Sequence, residues 1–189
     1  MQQSEKDALR RWDRDVYWHA FTQMAEYQPL IIERAEGCSL YDIDGNAYLD
    51  GVSSMWCNVH GHGHPKLNAA LREQIGRVAH VTSLGMSNPT TVRLAKRLVD
   101  LAPAGLNHVF FSDNGATAVE VAIKMAIQYW WNKGEPQRNK VIALTGAYHG
   151  DTFGAMSISE RSVFTRAFRD KLFEVIFVAP PENPESSIQ

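Results

Sequence analysis

The sequence predicts an α/β fold: a mostly parallel sheet with flanking helices, preceded by a small antiparallel meander. From residue 65 onwards, segments with apolar residues at helical spacing alternate with short apolar runs that favour strands. Such alternation is typical of parallel sheets, because each helix carries the chain back to the start of the next strand. Earlier in the chain, short segments flank Asp44-Gly45, a dipeptide that favours a tight hairpin turn.

The N-terminal part is predicted to contain one helix and then the meander. Charged residues with aromatic insertions indicate a helix over about 4–18. A weakly alternating segment at 29–34 is followed by two short strands within 39–51.

The remainder of the chain is predicted to alternate between helices and strands. The predicted helices cover about 65–78, 90–101, 116–132 and 161–170, and the predicted strands cover 109–112, 140–144 and 174–178. The helix over 116–132 is apolar on nearly its whole circumference, which predicts deep burial.

Composition excludes several classes of protein. The 189 residues carry a formal net charge of −2, so no basic excess points to nucleic acid. Cys38 and Cys57 have no CxxC spacing, which fits a reduced cytosolic protein better than a secreted disulfide scaffold. The polar N-terminus lacks the apolar core of a signal peptide, and no run has the length of a membrane span. We therefore expect a cytoplasmic location and no membrane partner.

The most informative segment is the loop SDNGAT at residues 112–117, which joins the predicted strand at 109–112 to a helix. The N–H groups at a helix N-terminus are unpaired and the helix dipole is positive there, so such a junction can bind an anion. Gly115 allows close approach of a ligand, and Ala116 and Thr117 would offer their N–H groups to a phosphate. The alternative is an ordinary helix cap formed by Asp113 or Asn114.

A second loop, GAYHGDT at residues 146–152, directly follows the strand at 140–144. Ligands of open parallel sheets bind outside the carboxyl ends of strands, so this loop and the 112–117 loop can converge. Tyr148 beside a phosphate site suggests a flat ring stacked on the tyrosine. Packing and a turn are the alternative for Tyr148 taken alone.

The third segment is SSMWCNVHGHGHP at residues 53–65. Its alternating His60, His62 and His64 allow a zinc hypothesis, but the intervening glycines and the proline break strand geometry and no carboxylate follows at zinc-site spacing. A loop that opens the next helix is the alternative, with Trp56 either lining a pocket or packing.

Together the three segments resemble the class III pyridoxal-phosphate aminotransferases over residues 18 to about 180. The most specific pieces are SSMW with HGH, the run at 112–125 and YHGDTFGAMS at 148–157. The resemblance implies pyridoxal 5′-phosphate as cofactor and a fold-type I enzyme. Members of this family are usually homodimers with active sites at the subunit interface.

The resemblance also implies roles for individual residues. Gly115 and Ala116 would bind the cofactor phosphate, Tyr148 would stack near the cofactor ring, and Trp56 and Tyr148 would line the substrate pocket. The family usually has serine where Ala116 stands, so one hydroxyl contact is lost.

Two further departures concern the amino donor. Phe21 stands where many members have tyrosine, and Met55 stands where many have the first of two tryptophans. Both positions help to shape the donor pocket, so the donor is open between adenosylmethionine and lysine.

The reaction implied by the resemblance is transamination of 8-amino-7-oxononanoate to 7,8-diaminononanoate in biotin biosynthesis. The family's lysine that links covalently to the cofactor and shuttles the proton is expected beyond residue 189. We therefore expect a truncated chain with no catalytic residue of its own. Residues 1–58 would belong to the small domain and residues 59–189 to the first part of the cofactor-binding domain.

Three alternatives remain open at this stage. The protein could be another class III aminotransferase that acts on an ω-amino acid, or a remnant that only dimerises or binds. A metal hydrolase built on the three histidines is the weakest of them.

A stretch rich in proline at 180–184 near the chain end predicts a loop between elements.

Overall fold

A computed structural model describes residues 1–181 of the chain. The chain divides into two compact units, Met1–Asn88 and Pro89–Gln189. The functional division predicted at residue 58 stays a prediction. Most of the loop predicted at 180–184 lies outside the described residues.

The first unit contains the helices predicted at 4–18 and 65–78 and the predicted meander. Its elements are α1 (Gln3–Val16), β1 (Ile32–Glu36), β2 (Ser39–Asp42), β3 (Ala47–Leu49), the single turn α2 (Ser53–Trp56) and α3 (Pro65–Arg77). The three strands form an antiparallel sheet in the order β1-β2-β3. Since Gly45 has a φ of 89°, its lack of a side chain is what allows the tight turn between β2 and β3.

Asp42 organises the turn of this meander. Its carboxylate accepts hydrogen bonds from the N–H groups of Asp44 and Asn46 at 2.9 and 2.8 Å. It also accepts from Nδ2 of Asn46 at 2.9 Å and from the Tyr48 hydroxyl at 3.0 Å. These donors, led by the Asn46 side chain, stabilise the charged form and lower the pKa of Asp42 to about 2.

This pKa predicts how the meander responds to acid. The pKa of Asp42 in the folded chain lies below the usual 3.8. Its contribution to the stability of the fold is therefore fully present above pH 3.8 and is lost as the pH falls towards 2. Carboxyl NMR of Asp42 should therefore show a midpoint near 2, and Asn46→Ala should move it upwards. A midpoint at the ordinary value in the parent chain would contradict the hydrogen-bonded turn.

The second unit contains the parallel part of the fold. Its elements are α4 (Pro89–Leu101), α5 (Gly115–Asn132), β4 (Ile142–Leu144), α6 (Phe153–Ile158), a 3₁₀ helix (Arg166–Lys171) and β5 (Ile176–Val178). β4 and β5 pair in parallel, with Ala143 opposite Phe177. The predicted strands at 140–144 and 174–178 and the predicted helices at 90–101 and 116–132 are therefore confirmed.

Two predicted elements are wrong. Residues 109–112 do not form a strand, because a strand needs a hydrogen-bonded partner and none of the described residues provides one. The helix predicted over 161–170 is replaced by the 3₁₀ helix Arg166–Lys171. The short α6 (Phe153–Ile158) was not predicted, because six residues that include a glycine show too little periodicity.

The predicted deep burial of α5 is also wrong for the described chain. No residue of α5 is buried, and Met125 and Trp131 are 56% and 63% exposed. The accessible surface of the chain is 15,479 Å², whereas a compact monomer of 21.2 kDa exposes about 9,000 Å². The apolar surface that would cover α5 is not supplied by residues 1–181.

This exposure predicts the solution behaviour of the isolated chain. We expect strong binding of an apolar dye such as ANS and a broad melt, because apolar area remains in contact with water. The enthalpy of unfolding measured by calorimetry should be well below the roughly 130 kcal/mol typical of a cooperative domain of this length. A sharp two-state melt with that enthalpy and no dye binding would contradict the expectation.

Within residues 1–181, none of the helices combines the length and the apolar character that crossing a membrane requires.

Candidate active site

The N-terminus of α5 is closed by a capping box. Asn114 is the N-cap, and its side-chain oxygen accepts a hydrogen bond from the Thr117 N–H at 2.9 Å. The Thr117 hydroxyl in turn accepts from the Asn114 N–H and donates to Asp113 Oδ1 at 2.7 Å. That hydrogen bond lowers the pKa of Asp113. The cap predicted as the alternative is therefore present at Asn114.

This cap occupies the Thr117 N–H, so the prediction that Thr117 offers it to a phosphate is wrong, but it leaves the first two N–H groups of α5 available. The N–H groups of Gly115 and Ala116 make no hydrogen bond to another residue in the described part of the chain. A Cβ built on Gly115 would meet nothing within 4 Å, so the space in front of it is open. Two unpaired donors at the positive end of an 18-residue helix can bind an anion while the cap persists.

The Tyr148 loop (residues 146–152) lies directly against this helix end. Gly150 is buried and has a φ of 126°, a backbone region that favours glycine. A Cβ on Gly150 would lie 2.4 Å from Cβ of Ala116, which no real packing allows. The predicted convergence of the two loops is thus a close backbone approach between Gly150 and Ala116.

Tyr148 is presented by this loop with its hydroxyl fixed. The hydroxyl donates to Asp151 Oδ2 at 2.7 Å, and this hydrogen bond raises the pKa of Tyr148. The ring is 72% exposed and is therefore available for stacking.

The other side of the loop is anchored to the end of α6. The His149 N–H donates to the Ser159 hydroxyl at 2.9 Å, and the Glu160 N–H donates to the Ala147 carbonyl at 2.8 Å. Ala155 and Ser157 of α6 have no exposed surface. The Tyr148 loop is consequently held by the most buried part of its unit.

Trp56 lies in the first unit, at the end of the left-handed turn α2. Ser53, Ser54, Met55 and Trp56 have φ values of 51°, 48°, 60° and 69°. Left-handed helical backbone costs about 1–2 kcal/mol per residue for L-amino acids and is rarely continued over several residues. Persistent strain of this kind concentrates at functional sites, and Trp56 is 78% exposed there.

Asp50 holds this turn. Its carboxylate accepts from the Ser54 N–H and hydroxyl, each at 2.8 Å, and contacts His62 Nε2 at 2.7 Å. The hydrogen bond from the Ser54 N–H is the largest cause of the lowered pKa of Asp50, and the contact with His62 is the next.

The three histidines do not gather around a common point. His62 is engaged by Asp50, and the rings of His60 and His64 are 6.0 Å apart. Within residues 1–181, no group of three or more His, Cys, Asp or Glu side chains is arranged to hold a metal ion.

A capped helix N-terminus with free N–H groups, beside an aromatic loop at the end of a parallel strand, defines an α/β protein with a helix end that can accept an anion. The chain belongs to the aminotransferase class-III family, which matches residues 21–188. It is 50% identical over 184 residues to the adenosylmethionine-8-amino-7-oxononanoate aminotransferase of Aquifex aeolicus, covering 96% of this chain and 41% of that protein.

Solved structures agree with this assignment. The crystal structure of the enzyme of the same name from Methanocaldococcus jannaschii has a TM-score of 0.88 and 46% identity, covering 94% of this chain and 41% of that one. The ω-transaminase of Pseudomonas jessenii in complex with PMP has a TM-score of 0.83 and 28% identity, covering 92% and 39% respectively. The chain therefore spans about 40% of the length of the relatives that it matches.

The residues present fit the cofactor that the family implies. Gly115 and Ala116 offer two unpaired N–H groups, a Cβ on Gly115 would meet open space, and the adjoining loop presents the exposed Tyr148. Sequence reasoning had singled out these residues, but not the roles of Gly150 and Asp50. In the sequence, Gly150 is one glycine among several, and nothing there indicates its positive φ. The contact between Asp50 and His62 joins residues that are 12 positions apart, so no local pattern indicates it.

Proposed function

We propose that this chain forms the phosphate-anchoring part of a pyridoxal-phosphate-dependent aminotransferase of biotin biosynthesis. The enzyme would transfer an amino group from a donor to 8-amino-7-oxononanoate and so produce 7,8-diaminononanoate. The observation that carries the proposal is the helix end at Gly115 and Ala116, closed by the Tyr148 loop. The 50% identity to an enzyme named for that acceptor supports the choice of substrate.

Each proposed role follows from the geometry of a residue. The N–H groups of Gly115 and Ala116 bind the cofactor phosphate, and Tyr148, oriented by Asp151, stacks near the ring. Pyridoxal phosphate, when bound, withdraws electrons from the substrate carbon that loses its proton. Because Ala116 has no hydroxyl, the phosphate is held there by the backbone alone.

Trp56 of the first unit and Tyr148 of the second unit are each proposed to contact the substrate. Trp56 is directed by a strained turn, which favours a defined orientation over a mobile one. Phe21 and Met55 are apolar and exposed, so they would contribute surface without a hydroxyl or an indole N–H group. The donor is proposed to be adenosylmethionine or lysine.

The remaining proposals concern the full-length enzyme: its catalytic lysine, its location and its oligomeric state. The lysine that removes and returns the proton is proposed to lie outside these 189 residues, and the full-length enzyme is proposed to be a cytoplasmic homodimer. Without that lysine the chain would bind the cofactor but not turn over. A protein restricted to dimerising or binding remains the alternative outside catalysis.

A second candidate is a class III aminotransferase that acts on an ω-amino acid. It is favoured by the similarity to the ω-transaminase solved with PMP, the aminated form of the cofactor. The fold and the phosphate anchor would be the same, so only the pocket residues distinguish the two candidates.

The decisive experiment uses the protein expressed from its whole reading frame. Purified enzyme is incubated with 8-amino-7-oxononanoate in three separate reactions, each containing one amino donor: adenosylmethionine, lysine or an ω-amino acid. We expect 7,8-diaminononanoate with one of the first two donors, measured by mass spectrometry. Turnover of an ω-amino acid with another acceptor, and none with the oxononanoate, would select the second candidate.

A further inference from the structure

Glu120 lies one turn beyond Ala116 on α5, and its carboxylate leaves its own helix to contact α6. Oε1 accepts from the Thr152 hydroxyl at 2.5 Å, from the Gly154 N–H at 2.7 Å and from the Ala155 N–H at 3.1 Å. A single oxygen therefore collects three donors. The hydrogen bond from Thr152 is the main cause of the lowered pKa of Glu120.

Two of these donors, the N–H groups of Gly154 and Ala155, belong to the first turn of α6 and have no partner within that helix. Thr152 is the N-cap of α6, but its side chain makes no capping bond within that helix. Glu120 takes over this function from a position 32 residues away in the sequence. An ionised carboxylate at the positive end of α6 is favoured by the dipole as well as by the hydrogen bonds.

The packing around the carboxylate admits no side chain. A Cβ on Gly154 would lie 2.2 Å from Oε2 of Glu120, just as a Cβ on Gly150 would overlap Ala116. The Tyr148 loop and the helix that follows it are therefore fastened to α5 at two points, Ala116 and Glu120. These points are four residues apart and lie on one face of α5.

We propose that Glu120 is a positioning residue, which fastens the Tyr148 loop to α5 so that the ring-stacking and phosphate-binding parts of the cofactor site keep one relative geometry. The ligand in this proposal rests on the proposed function, whereas the fastening itself rests only on the contacts of Glu120. The two parts can therefore be tested separately.

The test compares two ligands on the apoprotein expressed from its whole reading frame. Inorganic phosphate probes the N–H groups of Gly115 and Ala116 alone. Pyridoxine 5′-phosphate adds the ring but has no aldehyde, so it does not react with surface lysines. Affinities are measured by calorimetry for Glu120→Ala and for the control Glu135→Ala, which removes a half-buried carboxylate of the same unit that is paired with Arg138.

We expect Glu120→Ala to lower the affinity for pyridoxine 5′-phosphate by about tenfold or more. The affinity for inorganic phosphate should change by less than about twofold, because hydrogen bonds to a charged group are lost only at the loop. Glu120→Gln keeps an acceptor oxygen and should restore most of the affinity. Glu135→Ala should change neither ligand. Equal weakening of both ligands by Glu120→Ala would indicate general destabilisation and would overturn the proposal.

Hydrogen exchange of residues 148–155 separates this proposal from the proposed function. Exchange that rises at least about tenfold in Glu120→Ala supports the fastening, even if the parent chain binds neither ligand and the phosphate site is thereby refuted. Unchanged exchange overturns the fastening. If Glu120→Ala does not fold, Thr152→Val, which removes only the hydroxyl donor, decides the question by the same two readouts.

Discussion

Gly150→Ala is expected to reduce the affinity of the chain for pyridoxine 5′-phosphate by at least about 100-fold, equivalent to about 3 kcal/mol. The added Cβ would lie 2.4 Å from Cβ and 2.9 Å from Cα of Ala116. Since one of these atoms belongs to the backbone of α5, no side-chain rotation relieves the overlap. The Tyr148 loop has to move away from the helix end that carries the N–H groups proposed to bind the phosphate.

The control must separate this overlap from the cost of placing alanine at positive φ. Gly134 has a φ of 78° and lies at the far end of α5, and a Cβ built there meets nothing within 4 Å. Gly134→Ala should therefore cost only about 1 kcal/mol of local stability and leave ligand affinity unchanged. An equal loss of affinity in both variants, measured by the same calorimetry, would attribute the effect to conformational strain and not to contact with Ala116.

The longer helices of this chain could be predicted closely, because their signals are local. The apolar spacing that predicts helices at 65–78 and 116–132 depends only on residues within a few turns. The segment at 109–112 has the composition of a strand, yet strands exist only through a partner. Phe110 is 64% exposed in the absence of one among residues 1–181.

The site could be predicted less completely than the fold. Gly115 and Tyr148 follow from loops that end a strand or begin a helix, so their neighbourhood is written in adjacent residues. The role of Glu120 depends on Thr152, which is 32 residues away, and no local pattern in the sequence indicates that contact. Contacts of this kind are set by tertiary packing and leave no periodic pattern.

The second large effect concerns the turn that presents Trp56. Four consecutive left-handed residues together cost about 4–8 kcal/mol, so the turn persists only because its surroundings over-determine it. Asp50 accepts two hydrogen bonds from Ser54 and contacts His62, while its own N–H donates to the Cys38 carbonyl at 2.8 Å. Asp50 thus connects the strained turn, through its carboxylate, to the segment between β1 and β2, through its N–H group.

Asp50→Ala should release this turn. We expect the amide hydrogens of residues 53–58 to exchange at least about 100-fold faster, because the backbone can relax to negative φ once the carboxylate is gone. Hydrogen exchange followed by mass spectrometry measures this locally and does not depend on a cooperative melt. Asp15→Ala, which removes an exposed carboxylate of α1, is the matched control and should leave this segment unchanged.

A variant of opposite sign tests whether strain is the cause. Met55 has a φ of 60° and is 69% exposed, so Met55→Gly removes few contacts but relieves one strained residue. If the turn is strained, this glycine should slow exchange of residues 53–58 by about fivefold, equivalent to about 1 kcal/mol. If the turn is merely a flexible loop, the same glycine should speed exchange by adding conformational freedom. Faster exchange in Met55→Gly would therefore mean that Asp50 tethers a mobile segment, and that the direction of Trp56 is not imposed by backbone strain.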